Sequence, residues 1–293
     1  PRPLQAAVDK NTLHVTVDEP AGILAEAKPI AAGGVHRNGR SAMAYKDILI
    51  YLDPSAETVE RLRSAVNLAK IQGTARLIGV DASTPEATSA VTQDVFEEAT
   101  RGMAFKAVFI PPEKPGEGDA FTHCVDLIVG PAPGGKARDV IRRGILDRSL
   151  LESGAPMLIM PPDWTGGTLG ENIVIAWNAG REALHAVHDA MPLLKKARKV
   201  TVFCFSSRPS DLRASAVMLI QHLESHGVAA HISDWTNTGD LTAVEALFAS
   251  LDTQDADLIV AGAFGHSRVY EGLFGGVSLD LMRQQSLPVL MSH

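Results

Sequence analysis

The stretch Asp47-Ile48-Leu49-Ile50-Tyr51-Leu52-Asp53-Pro54-Ser55 returns later in the chain as Asn172-Ile173-Val174-Ile175-Ala176-Trp177-Asn178-Ala179-Gly180. Each copy is a short apolar run ending in a polar turn, which reads as a buried strand, and each leads into a segment of helical pattern. The first helix runs from about Glu57 to Ile71, with Gly73 as its stop signal. The second runs from about Arg181 to Leu194, with Leu184, Val187, Met191 and Leu194 on one face. Val125-Asp126-Leu127-Ile128-Val129-Gly130 is likewise mirrored by Ala256-Asp257-Leu258-Ile259-Val260-Ala261, and Ala155 to Met160 by Leu287 to Ser292. Ala75 to Val80, Ala107 to Ile110, Lys199 to Phe205 and Ala229 to Asp234 are further strand candidates. Continuously apolar strands that alternate with helices imply an α/β fold, a parallel sheet covered on both faces.

The repeat sets the organisation. Residues 44–162 form a first domain and residues 170–293 a second, joined by a Pro/Gly-rich linker over 161–169. Residues 1–43 do not fit the repeat and are turn-rich, with one strand candidate at Thr12 to Val17. They read as an N-terminal extension outside the natural domain, the alternative being a segment draped over it. With 293 residues the chain is long enough for two ordinary cores. Apolar residues make up 45% and aromatics only 5%, so those cores are aliphatic. A net charge of -7 and no basic block argue against a nucleic-acid partner. No apolar run approaches the ~20 residues that cross a bilayer, and no secretory pattern is visible at the N-terminus. Cys124 and Cys204 lack any framework spacing and read as buried, inert thiols, so the expected location is cytoplasmic, without membrane association.

The chemistry concentrates near the C-terminus. The strand Ala256 to Ala261 runs into Gly262-Ala263-Phe264-Gly265-His266-Ser267-Arg268, followed by Gly275-Gly276-Val277-Ser278. Glycines at 262 and 265 remove Cβ bulk where the strand turns, and Ser278 is placed to cap a helix beginning at Leu279. Glycine-lined turns at a helix N-terminus present unpaired N–H groups and a positive dipole end to phosphate.

The spacing Gly-x2-Gly-x9-Gly-x2-Ser, with Gly-His-Ser-Arg ahead of the Gly-Gly pair and Pro-Val-Leu-Met-Ser-His behind it, resembles the nucleotide-binding signature of the universal stress protein family. The likeness spans about residues 44 to 293 as a tandem of two domains. It implies two five-stranded parallel sheets, Rossmann-like, with helices on both faces and a pseudo-twofold relation between them. It also implies ATP, with Mg²⁺ where the nucleotide carries it, at the carboxyl ends of the strands. Gly262 and Gly265 would line the ribose and triphosphate turn, with His266 and Arg268 beside the phosphates. Gly275, Gly276, Val277 and Ser278 would hold the phosphates, mainly through backbone N–H groups. Ala176, Trp177 and Asn178 would meet adenine and ribose, and Cys204 and Phe205 would flank the base. The fifth strands, Pro156 to Met160 and Pro288 to Ser292, would pair within the chain, and a homodimer is the expected higher assembly. The protein partner is not legible.

Two departures concern the second domain: Asn178 stands where family members carry Asp, and Gly276 where they carry Ser or Thr. The first domain departs further. Pro131, Gly134 and Gly144 fall opposite Gly262, Gly265 and Gly275, while Ile145 and Ser149 break the pattern, so this domain reads as degenerate despite keeping Asp53. Gly130-Pro131-Ala132-Pro133-Gly134-Gly135-Lys136-Ala137 imitates a P-loop, but two prolines remove N–H donors and Ala137 replaces the Mg²⁺-binding hydroxyl. The pairs His185/His188 and His222/His226 have helix-face spacing but no third ligand. With His188 inside the arc of Leu184, Val187 and Met191, packing explains them and no metal is expected. Asp257 reads as structural. No catalytic residue emerges: there is no Gly-x-Ser-x-Gly elbow, no Walker-type Lys and no carboxylate pair for Mg²⁺. The expectation is therefore an ATP-binding stress-response or signalling module, at most a slow ATPase. The alternatives are a nucleotide-cleaving or nucleotidyl-transferring enzyme and a nucleotide-free interaction scaffold.

Overall fold

In a computed structural model the described residues are 44–82, 89–111, 121–133, 148–206, 209–236, 241–263, 277–284 and 286–293. The extension 1–43, and within the glycine loop Gly265, His266, Arg268, Gly275 and Gly276, lie outside them. The strands are β1 (Asp47–Leu52), β2 (Arg76–Asp81), β3 (Lys106–Ile110), β4 (Leu127–Pro131) and β5 (Met157–Met160), then β6 (Asn172–Trp177), β7 (Lys199–Ser206), β8 (His231–Thr236), β9 (Leu258–Gly262) and β10 (Val289–Ser292). The described helices are α1 (Glu57–Gln72), α2 (Ser89–Thr100), α3 (Arg181–Asp189), α4 (Met191–Leu194), α5 (Pro209–Ser225), α6 (Ala243–Gln254) and α7 (Val277–Gln284), with a π-helical turn at Arg148–Glu152.

The ten strands form one sheet in the order β3-β2-β1-β4-β5-β10-β9-β6-β7-β8. Within each half every pairing is parallel, and at the centre β5 and β10 run antiparallel, with Leu158 opposite Leu290. Two five-stranded sheets are therefore fused edge to edge, with the strand order mirrored about the seam. Met157, Leu158, Ile159, Val289, Leu290 and Met291 are all fully buried there. Each such side chain contributes about 1.5–3 kcal/mol by leaving water, and the pairing removes two apolar edges. The sheet divides the core in two. One cluster lies under α1, α3, α4 and α5, and the other, including Leu247, Leu251, Leu281 and Met282, lies under α6 and α7.

Repeat-equivalent acids fix the strand entrances. Asp126 Oδ2 accepts the N–H groups of Lys46 (2.6 Å) and Asp47 (2.9 Å) at the start of β1. Asp257, 6% exposed, accepts those of Gly170, Glu171 and Asn172, each at 3.0 Å, at the start of β6. A buried carboxylate taking three backbone donors is a satisfied structural charge. Further contacts join the halves beside the sheet, Tyr45 Oη donating to Asp189 O (2.6 Å) and Gln72 Nε2 to Pro192 O (3.3 Å), while Trp164 Nε1 of the linker donates to Ser64 Oγ of the first half (3.1 Å).

Three expectations need correction. The single helix from Arg181 to Leu194 is two, because Pro192 sits in the first turn of α4 and has no N–H to continue the ladder of α3. The buried face is accordingly Ala183, Ala186 and Val187, while Leu184 is exposed. His188 is exposed too: its ring lies 5.3 Å from that of His222, which lies 4.8 Å from that of His226. Cys124 is exposed, whereas Cys204 is buried as expected. Among the described residues no three His, Cys, Asp or Glu side chains are arranged to hold a metal ion, and no helix is long and apolar enough to cross a membrane.

Candidate functional site

Strand order reverses direction between β6 and β9, and α/β sheets of this kind hold ligands outside the carboxyl ends of such strands. The sequence-selected residues collect at that edge. Ala176 is level with Ala261 on β9 and Phe203 on β7, Trp177 is level with Cys204, and Gly262 is level with Ser292. The pleat then sorts them. Ala176 and Phe205 pack toward the face that carries Leu281 and Met282 of α7, the helix whose first turn holds Val277 and Ser278. Trp177 and Cys204 turn to the other face, where the indole Nε1 donates to Ser215 Oγ of α5 at 3.0 Å. Burial pushes the Cys204 thiol up to about 12, with Asp234 adding to the shift and Arg213 opposing it. Ser278 lies inside the first turn, since α7 begins at Val277, one residue before the expected cap and two before the expected start.

Gly262 has a stringent local reason to be glycine. A Cβ there would stand 2.5 Å from Ala183 N and 2.6 Å from Glu182 C, so the first turn of α3 lies directly against the end of β9. That turn is entered through Asn178 and Ala179. Asn178 is exposed, and its Oδ1 accepts the N–H of Gly180 at 2.8 Å. Ala179 has φ 60°, a left-handed conformation unusual for a residue with a side chain. Gly180 then opens α3 without a side-chain cap. On the β9 side the chain leaves the sheet through Ala263, whose N–H donates to Ser292 O at 2.7 Å and whose carbonyl accepts from His293 Nδ1 at 3.1 Å. His293 belongs to the stretch that carries the resemblance, but its grip on the loop depends on register across β9 and β10, which no local pattern announces.

At the same edge of the first half the described side chains bond to one another. Asp53, the counterpart of Asn178, accepts from Ser55 N (2.8 Å) through Oδ1 and pairs with Arg61 Nη2 (3.1 Å) through Oδ2. Arg61 is 2% exposed and also donates to Tyr51 O at 3.1 Å. Ser149 is fully buried, 3.5 Å from Tyr51 Oη. Pro131 belongs to β4 itself, so the P-loop look-alike begins as strand. Its first glycine, Gly130, is likewise in β4, and Gly134 and Gly135 lie outside the described residues.

No family model and no curated protein matches the chain. Solved structures do. A universal stress protein from Archaeoglobus fulgidus DSM 4304 superposes with a TM-score of 0.65 at 17% identity, covering 84% of this chain and 95% of its own. The chain has the universal stress protein fold. A Pseudomonas aeruginosa UCBPP-PA14 protein assigned as a universal stress protein gives a TM-score of 0.60 at 15% identity, over 85% of this chain and 93% of its own. A functionally unknown protein from Pseudomonas aeruginosa PAO1 gives 0.57 at 16%, over 85% and 92%. At these identities the universal stress protein fold is what is shared, and it extends over nearly the whole length of each neighbour.

Proposed function

We propose that the chain is an adenine-nucleotide-binding module of stress response or signalling, holding ATP, with its Mg²⁺, in the second half. The supporting observation is the asymmetry between equivalent strand tips. Asp53 is consumed by a buried arginine, whereas Asn178 is exposed beside the close approach of Gly262 to α3. In this reading Gly262 and Gly265 line the ribose and phosphate turn, and His266 and Arg268 approach the phosphates. Gly275, Gly276, Val277 and Ser278 supply N–H donors at the positive end of α7. Ala176 and Phe205 offer apolar surface to the base on the face shared with α7. Nucleotide binding then acts by stabilising whichever conformation or assembly holds it better, including a homodimer of the chain in the cytoplasm.

Calorimetric titration of MgATP tests this directly. The intact chain is expected to bind one equivalent, and a Gly265→Ala/Gly275→Ala double variant to lose that binding. An intact chain that gives no binding heat would favour the nucleotide-free scaffold. Phosphate release at many turnovers per minute would favour the nucleotide-cleaving enzyme.

A further inference from the structure

The helices α1 and α2 lie side by side on one face of the first half. Strands β1, β2 and β3 are parallel, so each helix returns from a carboxyl to an amino end and the two run in the same direction. Phe96 of α2 lies directly over Gly79 of β2, where a Cβ would meet its ring at 2.8 Å, and so α2 sits close to the sheet. Between the helices runs a groove of about 690 Å³. Its floor is apolar: Leu62 and Val66 are buried, and Val95 and Ala99 are half-buried. Val59 lines it while 45% exposed. Val91, 55% exposed, continues the α2 stripe three and four residues before Asp94 and Val95.

The walls differ in sign. From α1 come Arg63 and Lys70 and no acid, whereas α2 contributes Asp94, Glu97 and Glu98 against Arg101 alone. All of these are exposed. Their ion pairs stay on their own helix, Arg63 with Glu60 at 2.7 Å and Arg101 with Glu98 at 2.8 Å, and among the described residues none crosses the groove. An apolar groove with walls of opposite sign is complementary to itself. Turning a second copy over about a twofold axis along the groove puts its α1 on the first copy's α2 and its α2 on the first copy's α1, basic wall on acidic both times. An axis across the groove would instead stack α1 on α1, like on like.

We infer that this groove is the contact by which two copies of the chain pair, with α1 of each copy over α2 of the other. The edges β5 and β10 are already spent on each other within the chain, so a second copy has to use another surface. This inference stands apart from the nucleotide reading and needs none of the glycine loop. With 16 residues in α1 and 12 in α2, at about 1.5 Å per residue, the contact runs for roughly 20 Å. That is small for a specific interface, so the pairing is expected in the micromolar range.

Sedimentation equilibrium of the full chain tests this, with two double variants. Arg63→Glu/Lys70→Glu makes the α1 wall acidic, and Asp94→Lys/Glu97→Lys makes the α2 wall basic. The substituted side chains are exposed, so both variants should unfold close to the wild-type midpoint. The intact chain is expected to dimerise, with affinity falling as salt rises. Each double variant alone sets like walls against each other and is expected to lose about tenfold or more in affinity. Mixed in equal amounts, the two variants present opposite walls throughout and should pair one to one. A chain that stays monomeric at low salt and its highest soluble concentration would overturn the inference and leave the groove to a different partner. A dimer that both double variants retain would overturn it by placing the contact elsewhere, and a mixture that stays monomeric would overturn the arrangement of α1 on α2.

Discussion

Two backbone positions at the candidate site set opposite expectations for substitution. Gly262→Ala drives a Cβ into the backbone of Glu182 and Ala183, where no side chain can yield. It is expected to cost about 1–3 kcal/mol, read as a lower urea midpoint at unchanged slope. Ala179→Gly relieves a left-handed alanine and is expected to raise stability by roughly 0.5–1 kcal/mol, less than the intrinsic cost because glycine also loosens the unfolded chain. A thiol reagent should label the native chain once, at exposed Cys124. Fast labelling of Cys204 at neutral pH would contradict its burial and raised thiol pKa. The sequence marked Gly262 as special because phosphate approaches such glycines. It could not show that α3 presses on the same atom, because that contact joins elements brought together only by strand order. Asn178 was visible as a departure from Asp, but the hydrogen bond its oxygen accepts from Gly180 became readable only with the turn in place.

At the scale of elements, helix ends and helix pairs carry the pH dependence. Thr242 and Glu245 form a reciprocal cap at the start of α6, and the N–H and hydroxyl of Thr242 hold the Glu245 carboxyl below its ordinary range. On α3 the His188 side chain is exposed but its ring is partly desolvated against His222; that desolvation, with the charge of His222, lowers its pKa, with smaller contributions from His185 and His226 and an opposing one from Asp189. Both shifts act in one direction. A carboxylate with a depressed pKa stabilises the fold above its unfolded value and loses that contribution as pH falls. A histidine with a depressed pKa is favoured neutral in the fold, and its contribution likewise fades below about pH 6.5. Glu245 acts only where carboxylates titrate, so between pH 7 and pH 5 it is His188 that lowers the unfolding midpoint, and His188→Gln should flatten that fall. A wild-type midpoint independent of pH in this window would refute the account. Periodicity located α1 nearly to the residue because Gly73 ends it in a left-handed cap. It missed the break before α4 because Leu184, Met191 and Leu194 continue an apolar pattern across a proline that stops the ladder. The two histidine pairs were legible singly, but their meeting across α3 and α5 was not.

For the molecule as a whole, the seam between β5 and β10 decides the behaviour. Its six central side chains are fully buried, so a half expressed alone presents an apolar edge strand to solvent. Residues 44–162 by themselves should self-associate in sedimentation experiments, and a stable monomer would argue against the seam as the main union. The parallel halves were legible because each strand is continuously apolar, and pairing of the fifth strands followed from the resemblance. Their fusion into one ten-stranded sheet is a matter of registration that composition does not encode. The covalent form of this union has a further consequence. Two separate copies would meet only above some dissociation constant, and any change in one would appear in the other. Here the partner is supplied at an effective concentration set by the linker, so the pairing survives dilution, and the two partners are free to diverge. One holds its strand-tip carboxylate in an ion pair, and the other carries a neutral, exposed amide at the same place. Symmetry of the backbone has become the condition under which asymmetry of the chemistry could accumulate.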